Sequence, residues 1–175
     1  MNDKELGPKI WTEFAASRAN PPEWMRKFGS FPVSSQLCAG DGGTFACHVK
    51  EKVKKGTYSL YSLALEKADI GVIMALHEGS EPVEWDIAGG IIIDSSVGTI
   101  LPGPSLKEIR AMEANDDFAD IIDDAIFGSD ADEAILMTPE NRPFAVFMLG
   151  DDGTYNVLKG LDKDGIVCAL AIVQH

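Results

Sequence analysis

The sequence predicts an α+β fold in which a mainly antiparallel β-sheet, with a C-terminal meander, is packed by two or three helices. Segments rich in β-branched and aromatic residues outnumber segments with helical periodicity. Most inferred connections have hairpin length, which favours antiparallel pairing. With 175 residues, 45% of them hydrophobic, we expect residues 31–175 to form one domain behind a helical or irregular lead-in, residues 1–30.

The lead-in is rich in aromatic residues. Asn20, followed by two prolines, predicts the start of a short helix that Gly29 would end. Trp24 and Phe28 would then share one face of that helix, and Trp11 belongs to a second apolar patch. We expect these aromatic side chains to dock on the core. The alternatives are an arm that binds a partner, and a homodimer formed through Trp11, Trp24 and Phe28.

From about residue 31 the pattern favours β-structure. The predicted strands are residues 44–49, 57–65, 70–76, 82–87 and 91–93, followed by 144–149, 154–158 and 166–173. The alternation in 82–87 predicts that Val83, Trp85 and Ile87 face inward. The apolar segment 70–76 is typical of a strand covered on both faces, and it follows a loop of hairpin length at 66–69.

The C-terminal strands are separated by two turns that contain aspartate followed by glycine, at residues 150–153 and 162–165. Both residue types tolerate positive φ, so the turns indicate hairpins. Because the apolar segment ends only two residues before the C-terminus, we expect the last strand to be central in its sheet.

Two helices are predicted in the middle of the chain. Ser105 and Glu108 have the spacing of a capping box, and apolar residues follow at helical intervals. Asn115 is the predicted N-cap of the second helix, and Gly128 its end. The apolar stripe of that helix consists of Phe118, Ile121, Ile122, Ala125 and Ile126.

The net charge of −13 narrows the function classes. It disfavours binding to nucleic-acid backbones and to anionic membranes, because both attract Lys and Arg side chains. Residues 1–55 carry a net charge of +3, and residues 56–175 a net charge of −16. The longest apolar runs are shorter than ten residues, and no signal peptide is visible. An odd number of cysteines, three, then indicates reduced thiols and a cytoplasmic location.

An acidic helix is the most distinctive feature. Residues 113–140 contain ten acidic residues and no Lys or Arg, and Arg110 and Arg142 bracket this stretch. On the second helix the acidic residues lie opposite the apolar stripe, and they are Asp116, Asp117, Asp120, Asp123 and Asp124. The leading interpretation is a non-catalytic interaction module, immunity-like or regulatory, that binds a basic protein partner through this face. The alternative interpretation is a solvated face that maintains solubility.

A second hypothesis is an enzyme or small-ligand-binding domain whose pocket lies between sheet and helices. The polar residues to consider are Tyr58, His48, His77 and Asp94. Cys47 and His48 are adjacent, and neighbouring strand residues face opposite sides, which argues against a catalytic dyad.

The sequence predicts no catalytic residues, no cofactor and no metal. A Gly-x-Ser-x-Gly motif is absent, and Cys38, Cys47 and His48 lack the spacing of a zinc site. The turn 162–165 departs from the pattern of a calcium-binding loop, and the glycine-rich segment 40–44 lacks a Walker lysine.

Segment 40–45 resembles segment 150–155, because in both a Gly-Asp pair precedes Thr and an aromatic residue.

Several segments together resemble an uncharacterised bacterial family, a domain of unknown function. They are Lys-Gly-Thr-Tyr-Ser-Leu at 55–60, Val-Glu-Trp-Asp at 83–86, the segment 94–99 and the ending 150–165. Family members typically end in G-D-G-T-Y-x-V, then D-x-D-G and an apolar strand; here the first turn contains an additional aspartate. The resemblance covers about residues 50–175. It implies a bacterial, cytosolic, single-domain protein and assigns no activity or catalytic residue.

Overall fold

The computed structural model describes residues 3–65, 70–127 and 134–174, and these residues form three α-helices and eleven strands in two antiparallel sheets. The helices are α1 (Asp3–Ser17), α2 (Leu106–Glu113) and α3 (Asp116–Phe127). From edge to edge, the larger sheet contains β1 (Met25–Val33), β4 (Gly56–Leu65), β5 (Ile70–His77), β11 (Val167–Gln174), β10 (Gly153–Leu161) and β6 (Glu84–Ile93). The smaller sheet contains β3 (Cys47–Lys52), β2 (Gln36–Asp41), β7 (Val97–Pro102), β9 (Phe144–Met148) and β8 (Ala134–Met137). The predicted α+β fold is confirmed.

The two sheets stack face to face, with β1 beside β8 at one edge and β3 beside β6 at the other. The core between them is formed by residues from both sheets, including Phe31, Leu37, Tyr58, Ile73, Ile91, Ile100, Phe147 and Leu170. Helix α1 covers the outer face of the larger sheet, and α2 and α3 cover the outer face of the smaller one. This four-layer arrangement explains why β5, β7 and β11 are apolar on both faces.

Residues 25–33 form strand β1, so the helix predicted around Trp24 and Phe28 is wrong. Strand β1 pairs with β4, with a register shift next to Phe28. Pairing with β4 and burial of Phe31 and Val33 between the sheets outweigh the local helical signal of this segment. Pro32 is tolerated because β1 is an edge strand.

The aromatic residues of the lead-in pack within the chain. Phe14 of α1 is fully buried, and Trp11 stacks on it with 5.6 Å between ring centroids. Trp24 also packs in the layer under α1, whereas Phe28 packs against the core between the sheets. The three residues of the predicted homodimer contact therefore lie in two different layers. The homodimer itself stays a prediction.

Strand β6 is continuous where the sequence predicts two strands, residues 82–87 and 91–93. The inward orientation predicted for Val83 and Ile87 is wrong, because these side chains are 69% and 40% exposed, whereas Trp85 is buried. A register shift against β10 follows Ile87. Trp85 therefore packs under α1, whereas Ile91 and Ile93 point between the two sheets.

The three C-terminal strands are present as predicted, and β11 is central in the larger sheet. The turn at 162–165 closes the β10–β11 hairpin. The turn at 150–153 does not close a hairpin, because β9 belongs to the smaller sheet and pairs with β7 and β8. Aspartate and glycine indicate a turn, and Gly150 has a φ of +85°, but they do not determine which sheet receives the next strand.

Helix α2 begins where the sequence predicts, but the Ser105 side chain makes no capping hydrogen bond. Ser105 already has helical backbone angles, because a short 3-10 turn (Gly103–Ser105) precedes α2. We therefore expect Ser105→Ala to change the free energy of unfolding by less than about 0.5 kcal/mol, whereas loss of a working cap costs about 1 kcal/mol. Urea denaturation measures this difference, and a loss near the larger value would contradict the structure.

Candidate functional site

Two turns meet at one end of the sandwich, and the Asp41 side chain joins them. Asp41 is 2% exposed. Its Oδ1 accepts hydrogen bonds from the backbone of Gly43 and Thr44 (2.9 and 2.8 Å) and from the Thr44 hydroxyl (3.1 Å). Its Oδ2 accepts from the backbone of Asp94 and Ser95 (2.8 and 3.1 Å) and from the Ser95 hydroxyl (3.0 Å). We call this arrangement the Asp41 clasp.

The electrostatics of the clasp indicate a structural role. Burial by itself would raise the pKa of Asp41, but the hydrogen bonds from Asp94, Thr44 and Ser95 lower it below its ordinary value. The carboxylate is thus held in its charged form. Because each oxygen already accepts three hydrogen bonds, little acceptor capacity is left for a metal ion or a substrate.

The second Gly-Asp segment acts on the same loop. Asp152 Oδ1 accepts hydrogen bonds from the backbone N–H and the hydroxyl of Ser96, at 2.9 and 3.0 Å. The neighbouring Tyr155 hydroxyl donates to the carbonyl of Leu149 at 3.2 Å. Both segments therefore contribute an aspartate that binds backbone amides of residues 94–96. Asp152 is, however, equivalent in sequence to Gly42 and not to Asp41, so this shared contact does not explain the likeness between the two segments.

Tyr58 and His77 lie together, near the opposite end of the sandwich. Their ring centroids are 5.4 Å apart, and the Tyr58 hydroxyl donates to the carbonyl of Lys54 at 2.9 Å. Burial raises the pKa of Tyr58. His77 Nδ1 accepts from the backbone of Gly79 at 3.1 Å, so Nε2 donates to the carbonyl of Lys55 at the same distance. Both ring nitrogens of His77 therefore have structural partners.

His48 and Asp94 lie elsewhere. His48 is exposed on β3, and its Nδ1 is 3.4 Å from the backbone nitrogen of Ile92 on the facing edge strand. The Asp94 side chain is exposed, and its backbone belongs to the Asp41 clasp. The structure does not bring Tyr58, His48, His77 and Asp94 into one pocket. The ligand-binding hypothesis stays a prediction without a common site for these residues.

The cysteines are free thiols. A hydrogen bond with Cys47 lowers the pKa of buried Cys38, and the charges of Lys50 and Arg110 lower it further, against the effect of burial. Burial raises the pKa of Cys168 to about 11. Cys47 packs under the helices while the neighbouring His48 is exposed. Within the described ranges, no three or more His, Cys, Asp or Glu side chains form a group that could hold a metal ion.

Arg110 connects α2 to the turn between β2 and β3. Its Nε and Nη2 donate to the carbonyl of Phe45 at 3.1 and 3.0 Å. Phe45 is fully buried and has a φ of +49°. The predicted strand 44–49 therefore begins only at Cys47, because a turn occupies the first part of that segment. Sequence reasoning noted Arg110 only as a neighbour of the acidic stretch.

Asp162 organises the turn of the β10–β11 hairpin, as expected for a turn rather than a calcium-binding loop. Its Oδ1 accepts from the backbone of Asp164 and Ile166 at 2.9 and 3.0 Å. Its Oδ2 pairs with Lys54 Nζ at 2.8 Å. The Lys54 ammonium and these backbone hydrogen bonds lower the pKa of Asp162 to about 2.

The acidic face of α3 lies where the sequence places it. Asp117, Asp120, Asp123 and Asp124 are exposed, and among the described residues none of them forms an ion pair. The Asp116 side chain and Gly128 lie outside the described part of the chain. In the predicted apolar stripe, Phe118, Ile122 and Ile126 are buried, whereas Ile121 is 51% exposed.

A groove of about 510 Å³ runs beside α3. It is lined by Glu108 and Met112 of α2, Phe118 and Ile121 of α3, and Glu140 and Arg142 of the loop after β8. Glu140 pairs with Arg142 at 3.3 Å and has a φ of +49°. Sequence reasoning missed this groove. The helical pattern predicts that Ile121 is buried with the rest of the apolar stripe. Its exposure depends on how α2 packs against α3, which the pattern does not show.

Comparison of the chain with protein-family models, curated proteins and solved structures gave no significant match. The resemblance to a bacterial family of unknown function therefore stays a prediction. Among the described residues, no helix combines the length and apolar character needed to cross a membrane.

Proposed function

We propose that this protein is a cytoplasmic, non-catalytic interaction module that binds a basic protein partner, in an immunity-like or regulatory role. The carrying observation is the acidic face of α3, whose exposed Asp117, Asp120, Asp123 and Asp124 form no ion pair with a described residue. This face lies beside a groove whose lining includes the apolar side chains of α2 and α3. Exposed apolar surface within a charged rim is typical of protein-binding sites.

The arrangement of α3 specifies the chemistry of the partner. Residues three and four apart are neighbours on a helix, so Asp117 and Asp124 flank Ile121. An apolar side chain of the partner would contact Met112, Phe118 and Ile121, while its Lys or Arg side chains pair with the surrounding aspartates. Apolar contact would supply affinity, and the charges would select a basic protein and accelerate association.

The polar groups of the alternative hypothesis support a non-catalytic role. His77 has both nitrogens in hydrogen bonds, and the Tyr58 hydroxyl donates to a backbone carbonyl. The backbone N–H of Asp94 donates to the Asp41 carboxylate at 2.8 Å, so Asp94 contributes its backbone to the contacts between the two turns. These residues contribute to loop contacts and do not face a common space where a substrate could react.

Reversal of charge on α3 tests the proposal. We expect the triple variant Asp120→Lys, Asp123→Lys, Asp124→Lys to lose its partner and keep its fold, because these exposed residues follow the first turn of the helix. Wild type and variant are immobilised and exposed to native lysate at low and high salt. Mass spectrometry should identify a basic protein that wild type retains at low salt and releases at high salt.

The matched control is Glu5→Lys, Glu23→Lys, Glu84→Lys, which changes the net charge equally at three exposed positions outside α3. It should retain the same partner. Ile121→Asn should weaken capture without a change in net charge. If both triple variants capture the same proteins, or if no basic protein depends on α3, the proposed function is wrong.

A further inference from the structure

Three cationic side chains surround a second, smaller groove of about 310 Å³ between β3 and α2. Lys50 comes from β3, and Lys107 and Arg110 come from α2, where their spacing of three residues places them on one side of the helix. Gln36 of β2 adds a neutral amide, and Gly103 belongs to the wall. Among the residues that the structure describes, no acidic residue lines this groove, although the chain has a net charge of −13.

The cations are available to a ligand. Neither Lys50 nor Lys107 forms an ion pair with a described residue. Glu108, the acidic neighbour of Lys107 in the chain, lines the groove on the other side of α2. Burial raises the pKa of Glu113, one turn beyond Arg110 on α2, and the Arg110 charge lowers that pKa by a smaller amount. Three like charges in one groove favour an anion.

Arg110 is preoriented. Two of its nitrogens are held by the Phe45 carbonyl, and Nη1 takes no part in that contact. A fixed guanidinium loses little conformational entropy when an anion binds. The hydrogen bond with Cys47 has the largest effect on the pKa of Cys38 and lowers it. The charges of Lys50 and Arg110 lower the same pKa further, so their positive potential also acts on the interior.

We propose that this groove binds the phosphate group of a small soluble ligand, with Lys50, Lys107 and Arg110 as its binding residues. A tetrahedral dianion matches three convergent cations better than a single carboxylate, which one Arg satisfies. The volume of about 310 Å³ is at the lower end of the range for ligand pockets, roughly 300–1,000 Å³, and suits a small molecule. This proposal is independent of the partner proposed for α3.

The test uses inorganic pyrophosphate as the probe, with titration calorimetry at constant ionic strength in phosphate-free buffer. We expect saturable binding to the full chain and at least a tenfold loss of affinity in Lys50→Gln, Lys107→Gln. Both lysines are exposed, so the fold should persist. Arg110 is left unchanged because it also holds the Phe45 carbonyl. The matched control, Lys9→Gln, Lys163→Gln, removes two charges outside the groove and should bind within twofold of wild type.

Two further probes separate the sources of the anion. Citrate should bind more weakly than pyrophosphate, and vesicles containing phosphatidic acid should not sediment the protein. The proposal is overturned if pyrophosphate shows no saturable binding, if both double variants lose affinity equally, or if citrate binds more tightly. Sedimentation with vesicles that requires Lys50 and Lys107 would overturn the assignment to a soluble ligand and assign the groove to a lipid headgroup.

Discussion

Replacement of Asp41 by asparagine should lower the free energy of unfolding by roughly 3 kcal/mol or more, because charged hydrogen bonds are lost and buried donors are left unpaired. All the partners of the Asp41 carboxylate are donors, three on each oxygen. In either orientation of an asparagine side chain, its NH2 group would therefore face hydrogen-bond donors instead of acceptors. The turns that begin at Asp41 and at Asp94 would lose their common support.

Urea denaturation followed by circular dichroism measures this loss. Asp94→Asn is the control, because the Asp94 side chain is exposed and only its backbone joins the clasp. It should change stability by less than about 0.5 kcal/mol, as is usual for surface substitutions. A loss below about 1 kcal/mol in Asp41→Asn would contradict a structural role for the clasp, since one ordinary hydrogen bond contributes that much.

Acid should reduce the difference between wild type and Asp41→Asn. The folded protein lowers the pKa of Asp41 below its value in the unfolded chain, about 3.9. The stabilisation from the charged carboxylate is therefore complete above that pH, and it is lost as the pH falls through the folded-state pKa. The two unfolding curves should approach each other in acid, and a difference that does not depend on pH would contradict this origin.

Gly40→Ala should be the most damaging single methyl addition, with a loss of about 4 kcal/mol or failure to fold, because overpacking against backbone cannot relax. A Cβ at Gly40 would lie 2.1 Å from the Ala46 carbonyl oxygen and 2.6 Å from the Cys47 Cα. Strands β2 and β3 pair on both sides of a β-bulge that lies between Ala39 and Gly40. Neither strand can move away without breaking the pairing.

The control for Gly40→Ala is Gly153→Ala. A Cβ at Gly153 meets no atom within 4 Å, and Gly153 has no positive φ. The added methyl should leave stability unchanged or raise it by up to about 1 kcal/mol, because alanine restricts the unfolded chain. Equal urea midpoints for the two variants would show that β2 and β3 are not in close contact at Gly40.

Local patterns were enough to predict several elements. Strands β5 and β11 consist mostly of apolar residues, and such segments suit strands covered on both faces. Strand β4 was predicted from a segment rich in aromatic and β-branched residues. Helix α3 was predicted from a 3.6-residue stripe, and its acidic side is exposed as expected. The turn after β10 was predicted because aspartate and glycine favour its backbone angles.

Other elements depended on contacts between distant residues. Strands β2, β7 and β8 were not predicted as separate strands, because each is short and acquires its hydrogen bonds from partners far along the chain. The first part of strand β1, up to Gly29, was predicted as a helix for the same reason, since its pairing with β4 outweighs the local helical signal. The turn after β9 was recognised, but not the transfer of the chain from one sheet to the other.

The sequence by itself determined the α+β class, the charge of α3 and the turns that contain glycine, because these properties follow from residues close together in the chain. The tertiary structure decided the division into two sheets, the clasp at Asp41 and the two grooves on either side of α2. Their residues are dozens of positions apart, as with Lys50 and Arg110. Only the packing of complete layers, driven by burial of apolar surface, brings such residues together.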